Sequence, residues 1–271
     1  MPDDTTGIDP STPSIARVYD YLLGGTDNYP ADREIGDFFL RELPGSAAVP
    51  IENRRALIRA VAAMADDGIR QFLDMGSGLP TADNVHQVAE RHRLDARVVY
   101  VDNDPTVLAH GRALLAADDR TTVIGADVRE PESIHRHPEV ARLIDFDQPV
   151  GIVFSAVLHH LNDAERPGEV VRWWADRVPS GSRIYISHFR SGDNEQTRIA
   201  EQKLQSVFGR GRWRTDEEIT ALFGDLDLLD PGLVNCPLWR PESAPLGTTA
   251  ASRRELTVWE QMISCALARK P

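Results

Sequence analysis

The chain has 271 residues, 41% of them hydrophobic and 27% charged, which is the composition of an ordinary globular protein with one large domain or two small ones. Its formal net charge of −12 opposes approach to a phosphate backbone and argues against nucleic acid as a partner. Its apolar runs are too short to cross a membrane, its N-terminus lacks a secretory signal and its two cysteines make no disulfide scaffold, so we expect a cytoplasmic protein.

The first quarter of the sequence predicts a helical extension. Residues 1–13 are polar and contain three prolines, a pattern typical of a flexible lead-in. Segment 15–43 carries aromatic and acidic residues around a Gly-Gly pair, which favours two short helices joined by a turn. Residues 51–67 have apolar side chains at helical spacing and end before a glycine, so they predict an amphipathic helix.

Beyond residue 67, short apolar runs alternate with helical patterns. Strands are predicted at 70–74, 97–101, 121–124, 150–154 and 183–187, and helices at 81–92, 105–117, 131–144, 164–178 and 194–208. This alternation favours an α/β fold with a doubly wound, mostly parallel sheet. We expect a single domain over 14–271, with a helical lid or extension over 14–67 and a Rossmann-like core over 68–271.

The last part of the sequence predicts one more helix and two late strands. Thr215 and Glu218 have the spacing of a capping box ahead of a helix at 216–223. Apolar segments at 226–229 and 257–267 predict strands, joined by a proline-rich loop over 231–249.

A glycine-rich turn follows the first predicted strand, in the sequence Asp74-Met75-Gly76-Ser77-Gly78. Glycines allow a positive φ and let a ligand touch the backbone, and α/β sheets bind ligands at this end of their strands. A dinucleotide-binding turn would need a third glycine, where this chain has Thr81. An acid at Asp74 would also repel a pyrophosphate, whereas it suits a ligand with an ammonium and a sulfonium group, such as S-adenosylmethionine.

Two further acids follow the next two predicted strands. Asp102 ends the second strand, where a carboxylate can accept hydrogen bonds from ribose hydroxyls. Asp127 follows the third strand, where it can meet an adenine amino group, and the fourth strand leads into Ser155. Each acid has the alternative role of a helix N-cap. Together the three acids predict a cofactor site in one crevice at the strand ends.

The sequence resembles the class I S-adenosylmethionine-dependent methyltransferases, and more closely the bacterial family named S-adenosyl methyltransferase. The resemblance rests on the stretches IARVYDYLLGGTDNYPADRE, IENRRALIRA, RQFLDMGSGLPTADNVH, RVVYVDNDPTVLAHGRALL, GADVREP, VLHHL and PSGSRIYISHF. It implies a seven-stranded sheet whose last two strands pair antiparallel, and S-adenosyl-L-methionine as cofactor. The cofactor site that it implies consists of Asp74, Gly76, Gly78, Asp102, Asn103, Asp127, Val128, Ser155 and Ala156.

Two further groups of residues are candidates for roles at the site. Tyr21, Gly24, Gly25 and Asn28 are candidates for a lid that closes over the cofactor, although Tyr19 and Tyr21 would also serve to dock the extension on the core. His159 and His160 follow the fourth strand and are candidates for removing a proton from the acceptor; packing or capping of the loop is the alternative. His188, after the fifth strand, is a weaker candidate, and no spacing of ligands predicts a metal site.

These observations favour an enzyme that transfers a methyl group from S-adenosylmethionine to an O, N or C nucleophile of a small molecule. A protein that only binds the cofactor or its product is one alternative, and a nucleotide-dependent oxidoreductase is a second. A cavity lined by His159, Tyr21 or Trp239 would favour the enzyme, because methyl transfer needs an acceptor pocket beside the cofactor.

Overall fold

The computed structural model describes residues 7–115, 119–241 and 255–271. Its strands are β1 (Gln71–Met75), β2 (Arg97–Asp102), β3 (Thr121–Gly125), β4 (Gly151–Ser155), β5 (Arg183–Phe189), β6 (Asp227–Leu228), β7 (Val234–Asn235) and β8 (Ile263–Arg269). Five of them match the parallel strands predicted from the apolar runs, each to within two residues.

All eight strands belong to one sheet, in the order β3-β2-β1-β4-β5-β8-β6 with β7 also paired to β8. The first five strands pair in parallel, and β8 runs antiparallel to β5, β6 and β7. The α/β fold class with a mostly parallel sheet is thereby confirmed. The expected count of seven strands is wrong by one, because the two residues of β7 add a short antiparallel pairing beside β6.

The helices are α1 (Ile15–Leu22), α2 (Pro30–Glu42), α3 (Ala48–Asp66), α4 (Val85–His92), α5 (Pro105–Leu115), α6 (Pro131–His135), α7 (Pro138–Leu143), α8 (Pro167–Ala175), α9 (Glu195–Phe208), α10 (Asp216–Ala221) and α11 (Val258–Gln261). Helices α1 and α2 confirm the predicted pair of short helices and are called here the N-terminal arm. The predicted capping box of α10 is present, since the Thr215 and Glu218 side chains cap each other's backbone.

Three predicted elements differ from the structure for local reasons. Helix 81–92 begins only at Val85, because Asn84 is extended and forms a capping box in which its N–H donates to the Gln87 side chain at 2.8 Å. The single helix predicted over 131–144 is two helices, since Pro138 has no N–H for a helix interior and starts a new one. The strand predicted over 257–267 begins with α11, which the Thr257–Glu260 capping box nucleates ahead of β8.

The sheet is covered by apolar side chains on both faces, as the near-continuous apolar strands predict. Successive residues point to opposite faces, so Phe72 packs in the cluster that includes α3 while Leu73 packs in the cluster that includes α8. Both side chains are fully buried. The carboxyl ends of the parallel strands are left for the loops that carry polar residues.

A buried ion pair holds the N-terminal arm together and to the core. Arg17 Nε lies 2.7 Å from an Asp32 carboxylate oxygen, and both side chains are almost fully buried. Arg17 also donates to the Thr106 hydroxyl at 3.1 Å, and the Ser14 hydroxyl donates to Asp104. Thr106 and Asp104 lie at the start of α5, so the arm is bonded to the loop that follows β2.

Part of the predicted flexible lead-in packs on this arm. Arg17 donates to the Thr12 carbonyl at 2.6 Å and to the Asp9 carbonyl at 3.3 Å. Residues 1–6 of the predicted lead-in, and 242–249 of the predicted loop, lie outside the described residues. None of the helices within 7–115, 119–241 and 255–271 has the length and apolar character that crossing a membrane requires.

Candidate functional site

A cavity of about 530 Å³ opens at the carboxyl ends of the parallel strands. It lies at the point where the strand order reverses between β1 and β4, the place where open α/β sheets bind ligands. Its volume is within the range of roughly 300–1,000 Å³ that small-molecule sites occupy. The structure brings nine of the predicted site residues into its lining: Asp74, Gly76, Gly78, Asp102, Asn103, Asp127, Val128, Ser155 and Ala156.

The two glycines of the turn after β1 have different reasons to be glycine. Both have a positive φ, of 69° at Gly76 and 66° at Gly78. A Cβ on Gly76 would lie 2.5 Å from the Val157 side chain, so this glycine lets the turn pack against the loop after β4. A Cβ on Gly78 would meet nothing within 4 Å, so the space beside Gly78 is open to a ligand.

Asp74 is a buried carboxylate at the end of β1. Burial raises its pKa to about 7, an effect that the Arg54 guanidinium opposes and the Asp102 carboxylate strengthens. None of the described residues donates a hydrogen bond to the Asp74 carboxylate. A buried acid without a hydrogen-bond donor is costly in the ionised form, so a cationic ligand would be stabilised beside it.

Asp102 is held in place by the backbone at the end of β2. One carboxylate oxygen accepts from the Gly78 N–H and the other from the Asp104 N–H, each at 2.9 Å. Burial raises its pKa, and these backbone hydrogen bonds oppose the rise. A carboxylate has about four acceptor positions, so Asp102 can accept a further donor such as a ribose hydroxyl.

Asp127, after β3, is paired with a neighbouring cation. The Arg129 Nε donates to its two carboxylate oxygens at 2.9 and 3.0 Å, and hydrogen bonding from Arg129 lowers the pKa of Asp127. Arg129 also donates to Glu165 at 2.5 Å. Asp127 therefore stays ionised and fixed in orientation at the cavity mouth, beside the backbone of Val128.

A polar network at the floor of the cavity was missed by sequence reasoning. Asn53 of α3 donates to the Tyr19 hydroxyl at 2.9 Å and to the Ser155 hydroxyl at 3.2 Å, and it accepts from Ser187 at 2.5 Å. Ser187 in turn accepts from the N–H of Ala156, whose φ is 52°. Asn53 interrupts the apolar face of a predicted amphipathic helix, and that interruption was the available signal.

The arm contributes a wall to the cavity, but not through the residues predicted. The lining includes Ile15, Val18, Tyr19 and Leu22 of α1. Tyr21 instead lies against Gly36 of α2.

The four predicted lid residues are held by contacts within the N-terminal arm, and the cavity lining includes none of them. The Tyr21 hydroxyl donates to Asp37 at 2.7 Å. Asn28 donates to the Asp20 carboxylate at 2.9 Å and to the Gly25 carbonyl at 3.0 Å. A Cβ on Gly25 would collide with Asp20, whereas Gly24 has a φ of 83° in the same turn. Asp20 holds Gly25 and Asn28, while Tyr21 is held by Asp37. The expectation of Tyr21, Gly24, Gly25 and Asn28 over the cofactor is therefore corrected, since the cavity lining includes none of them.

Both predicted histidines line the cavity, and His159 is the more unusual. Its ring stacks on Phe189 with centroids 3.8 Å apart and planes at 12°. Both of its ring nitrogens are buried without a hydrogen-bond partner among the described residues. Such a group costs roughly 1–3 kcal/mol, which a bound ligand with a hydrogen-bonding group would recover. Burial holds the pKa of His159 well below its usual value, so the ring is neutral.

His160 and His188 differ from His159 in their surroundings. Burial and the Arg210 charge lower the pKa of His160 to about 4. His188 is not part of the cavity lining; its Nε2 accepts from Arg214 at 2.9 Å and its Nδ1 donates to the Phe189 carbonyl at 2.7 Å. Because an arginine only donates, this pairing fixes the neutral tautomer of His188, and burial lowers its pKa to about 3. His188 therefore supports the wall behind His159.

The far end of the cavity is apolar. Its lining there consists of Phe39, Phe189, Ala200, Leu204, Phe208, Trp213, Trp259 and Met262, a set called here the apolar end. Trp239, expected as a lining residue, is instead fully buried beside Tyr185. Within 7–115, 119–241 and 255–271, no group of His, Cys, Asp and Glu has the geometry of a metal site.

The sequence profile of the family described as S-adenosyl methyltransferase matches residues 2–271. The chain belongs to this family. Family membership agrees with the cavity geometry, and it leaves the oxidoreductase alternative without support. A search of curated proteins found no match.

Two solved structures are similar to this member of the S-adenosyl methyltransferase family over nearly their whole length. A proposed methyltransferase from Thermobifida fusca YX is 43% identical, with a TM-score of 0.92, covering 98% of this chain and 97% of its own. A DUF574 family protein from Streptomyces avermitilis MA-4680 is 36% identical, with a TM-score of 0.89, covering 97% and 99%.

A more distant likeness supports the fold alone. The N-methyltransferase NodS from Bradyrhizobium japonicum WM9, crystallised with S-adenosyl-L-homocysteine, is 12% identical with a TM-score of 0.50, covering 94% of this chain and 99% of its own. The sheet of the S-adenosyl methyltransferase described here is therefore the Rossmann-like sheet of methyltransferases.

Proposed function

We propose that this protein is a methyltransferase that uses S-adenosyl-L-methionine to methylate a small-molecule acceptor. The observation that carries the proposal is one continuous cavity of about 530 Å³ that joins the three acids at the strand ends to His159 and the apolar end. A protein that only stored the cofactor would need only the polar half of this cavity, which contains the three acids. The added apolar half supports catalysis, because transfer requires an acceptor beside the methyl group.

The residues of the polar half fit the chemical groups of S-adenosylmethionine. Asp102 would hold the ribose hydroxyls, since backbone hydrogen bonds fix the direction of its carboxylate at the cavity. Asp74 would pair with the ammonium group, which offers the buried carboxylate the hydrogen-bond donor it lacks. Asp127 and the Val128 backbone would meet the adenine edge, while the open space at Gly78 would let the ligand contact the turn.

When bound, the cofactor supplies a methyl group on a positively charged sulfur, from which an acceptor nucleophile takes the methyl while sulfur keeps the electron pair. The protein's own contribution is alignment and exclusion of water. Neutral His159 would accept a hydrogen bond from the acceptor and so orient its nucleophile. His160 lies beside it, with ring centroids 4.1 Å apart, and would receive the proton less readily than a histidine with the usual pKa.

The test of the cofactor assignment is calorimetric titration with S-adenosylmethionine, S-adenosylhomocysteine and NAD. We expect the first two to bind and NAD not to bind. Asp102→Ala should weaken the binding of S-adenosylhomocysteine more than tenfold, since hydrogen bonds to charged groups are worth roughly 1.5–3 kcal/mol each. Asp95→Ala is the matched control, because Asp95 is exposed and paired with Arg70 away from the cavity. Equal affinity of Asp102→Ala and wild type would contradict the assignment.

The test of catalysis is a screen of small-molecule acceptors that measures S-adenosylhomocysteine formation. Formation with at least one acceptor, lost in His159→Ala but not in a surface variant, supports the enzyme. Tight cofactor binding without turnover across a broad panel would instead support a protein that only binds the cofactor.

A further inference from the structure

We infer that the acceptor is an uncharged, planar aromatic molecule that binds in the apolar end of the cavity and presents its single hydrogen-bonding group to His159. This inference rests on the proposed function, because it assigns the apolar end to the acceptor. It adds the substrate class, which neither the family nor the polar half specifies.

The first argument is the surface that the apolar end presents. Five of its eight residues are aromatic, and they come from separate elements: α2, β5, the loop before α10, α9 and α11. Trp213 meets Phe189 edge to face, with centroids 5.3 Å apart and planes at 87°. Aromatic rings favour stacked and edge-to-face neighbours, so such a wall selects a flat aromatic ligand over a flexible or branched one.

The second argument is that two of the polar groups around the apolar end, on Trp259 and Ser46, are already used. The Trp259 indole N–H donates to the Pro44 carbonyl at 2.8 Å, and the Ser46 hydroxyl donates to the Phe39 carbonyl at 3.1 Å. An acceptor there finds apolar surface and few groups to bond. A molecule with several hydroxyls would lose its hydrogen bonds to water without replacement.

The third argument is the placement of charge. The cationic side chains of the lining lie at the polar half and the mouth: Arg54 donates to the Asp83 carbonyl, Arg129 pairs with Asp127, and Arg210 lies 3.7 Å from Glu165. Arg129 is hydrogen-bonded to a carboxylate, Arg210 is ion-paired with one, and Arg54 donates through Nη2 to a carbonyl. An acceptor carrying a carboxylate or sulfonate would therefore enter the apolar end without a counter-charge, which is strongly unfavourable.

His159 supplies the exception to this apolar surface. Its ring is locked by the stack on Phe189, and both of its nitrogens are buried and unpartnered within the described residues. A neutral imidazole has one donor and one acceptor nitrogen, so His159 would select for a donor or acceptor group on the ligand. The position of that group fixes which atom of the acceptor faces the methyl donor.

The experiment uses two fluorescent probes that differ by one charged group. N-phenyl-1-naphthylamine is a neutral aromatic molecule, and 8-anilinonaphthalene-1-sulfonate is the same ring system with a sulfonate. Each is titrated into the full-length protein saturated with S-adenosylhomocysteine. We expect the neutral probe to bind with one-to-one stoichiometry and at least about tenfold more tightly than the sulfonate.

Variants on α9 locate the bound probe. Ala200→Leu adds volume at a fully buried lining position and Leu204→Gln adds polarity, so each should weaken the neutral probe at least about tenfold while the affinity for S-adenosylhomocysteine is retained. Retained affinity also reports that each variant is folded. Ser206→Leu is the matched control, because it places the same side chain on the exposed side of α9 and should change neither affinity.

The outcomes separate this inference from the proposed function. Absence of neutral-probe binding, equal binding of the two probes, or binding that neither α9 variant weakens overturns the inference. Failure of S-adenosylhomocysteine to bind, with neutral-probe binding that still depends on Ala200, overturns the cofactor assignment and supports the apolar assignment.

Discussion

At the scale of single residues, the site is built from acids whose surroundings differ. Asp127 is hydrogen-bonded to the Arg129 cation, which lowers its pKa, whereas burial raises the pKa of Asp102 and of Asp74. The pKa of Asp74 is raised to about 7. A carboxyl group with this pKa in the folded protein changes its charge near neutral pH, so this residue makes both ligand affinity and stability depend on pH in that range.

Asp74→Asn should stabilise the ligand-free protein at pH 8. The folded pKa lies above the ordinary value of 3.8, so the native state holds more protons than the unfolded chain between about pH 4 and about pH 7, and the free energy of unfolding falls as pH rises through that window. Asparagine removes this loss, which is about 4 kcal/mol for a rise from 3.8 to about 7 at about 1.4 kcal/mol per pKa unit. Thermal unfolding at pH 8 and at pH 5 measures it, and the gain should shrink at pH 5.

The same substitution should weaken S-adenosylmethionine binding at pH 8 by about tenfold or more, and wild-type affinity should fall as pH drops below about 7 because the carboxylate is lost. Asp95→Asn, a surface change, should alter neither stability nor affinity. A less stable Asp74→Asn at pH 8 would show that the carboxylate is satisfied in the folded chain.

At the scale of elements, the N-terminal arm is a packed part of the cavity wall. Ile15, Val18 and Leu22 line the cavity, and Arg17 is bonded to both Asp32 and Thr106. The arm is therefore seated by a buried ion pair in addition to apolar contacts. Removing one partner of such a pair leaves the other charge buried and unpaired, which costs roughly 3–5 kcal/mol.

Arg17→Ala should release the arm while the sheet stays folded. We expect the backbone amides of α1 and α2 to exchange at least about tenfold faster than in wild type, since local opening then costs less free energy. Affinity for S-adenosylhomocysteine should fall, and adding this ligand should slow the amides over residues 18–30. Hydrogen exchange read by mass spectrometry measures all three effects.

Arg41→Ala is the control for the arm, because Arg41 is an exposed arginine on the same helix pair. Unchanged exchange in Arg17→Ala would mean that apolar contacts alone seat the arm. Amides over 18–30 that ignore the ligand would mean that the arm is structural packing only.

The elements also show which parts of the site the sequence predicts and why. Asp74, Asp102 and Asp127 were predictable because each directly follows an apolar run, and parallel strands bring their carboxyl ends to one edge. Asn53 was not predictable, since a residue within a helix reaches the site only through tertiary packing. Tyr21 was misplaced for a related reason: its side chain contacts Asp37 and Gly36 of α2, a tertiary contact that no periodicity in α1 specifies.

At the scale of the whole molecule, the chain is acidic, and half of the excess negative charge lies in its first 50 residues. The net charge is −12, and residues 1–50 carry three arginines against nine acids, a net of −6. The arginines at the cavity mouth, Arg129 and Arg210, each lie beside an acid. A polyanion would therefore meet repulsion from the chain as a whole and find these two cations already paired.

Duplex DNA and RNA should accordingly fail to compete with S-adenosylhomocysteine. Affinity for this ligand should change little between about 50 and about 200 mM salt, a range over which phosphate-backbone binding weakens by orders of magnitude. Calorimetry at the two salt concentrations, with and without duplex, measures the effect. Tight, salt-dependent retention of the protein on a nucleic-acid column would contradict it.

The continuity of the cavity also makes it possible to find the acceptor without any turnover. A molecule in which adenosine is joined by a short tether to an aromatic group would occupy both ends at once. The second group would then bind from an effective concentration on the order of millimolar, so the joined molecule would bind much more tightly than either half. A library that keeps the adenosine and varies the aromatic group would rank candidate acceptors by affinity alone, and the tether length that binds best would measure the span between the two halves.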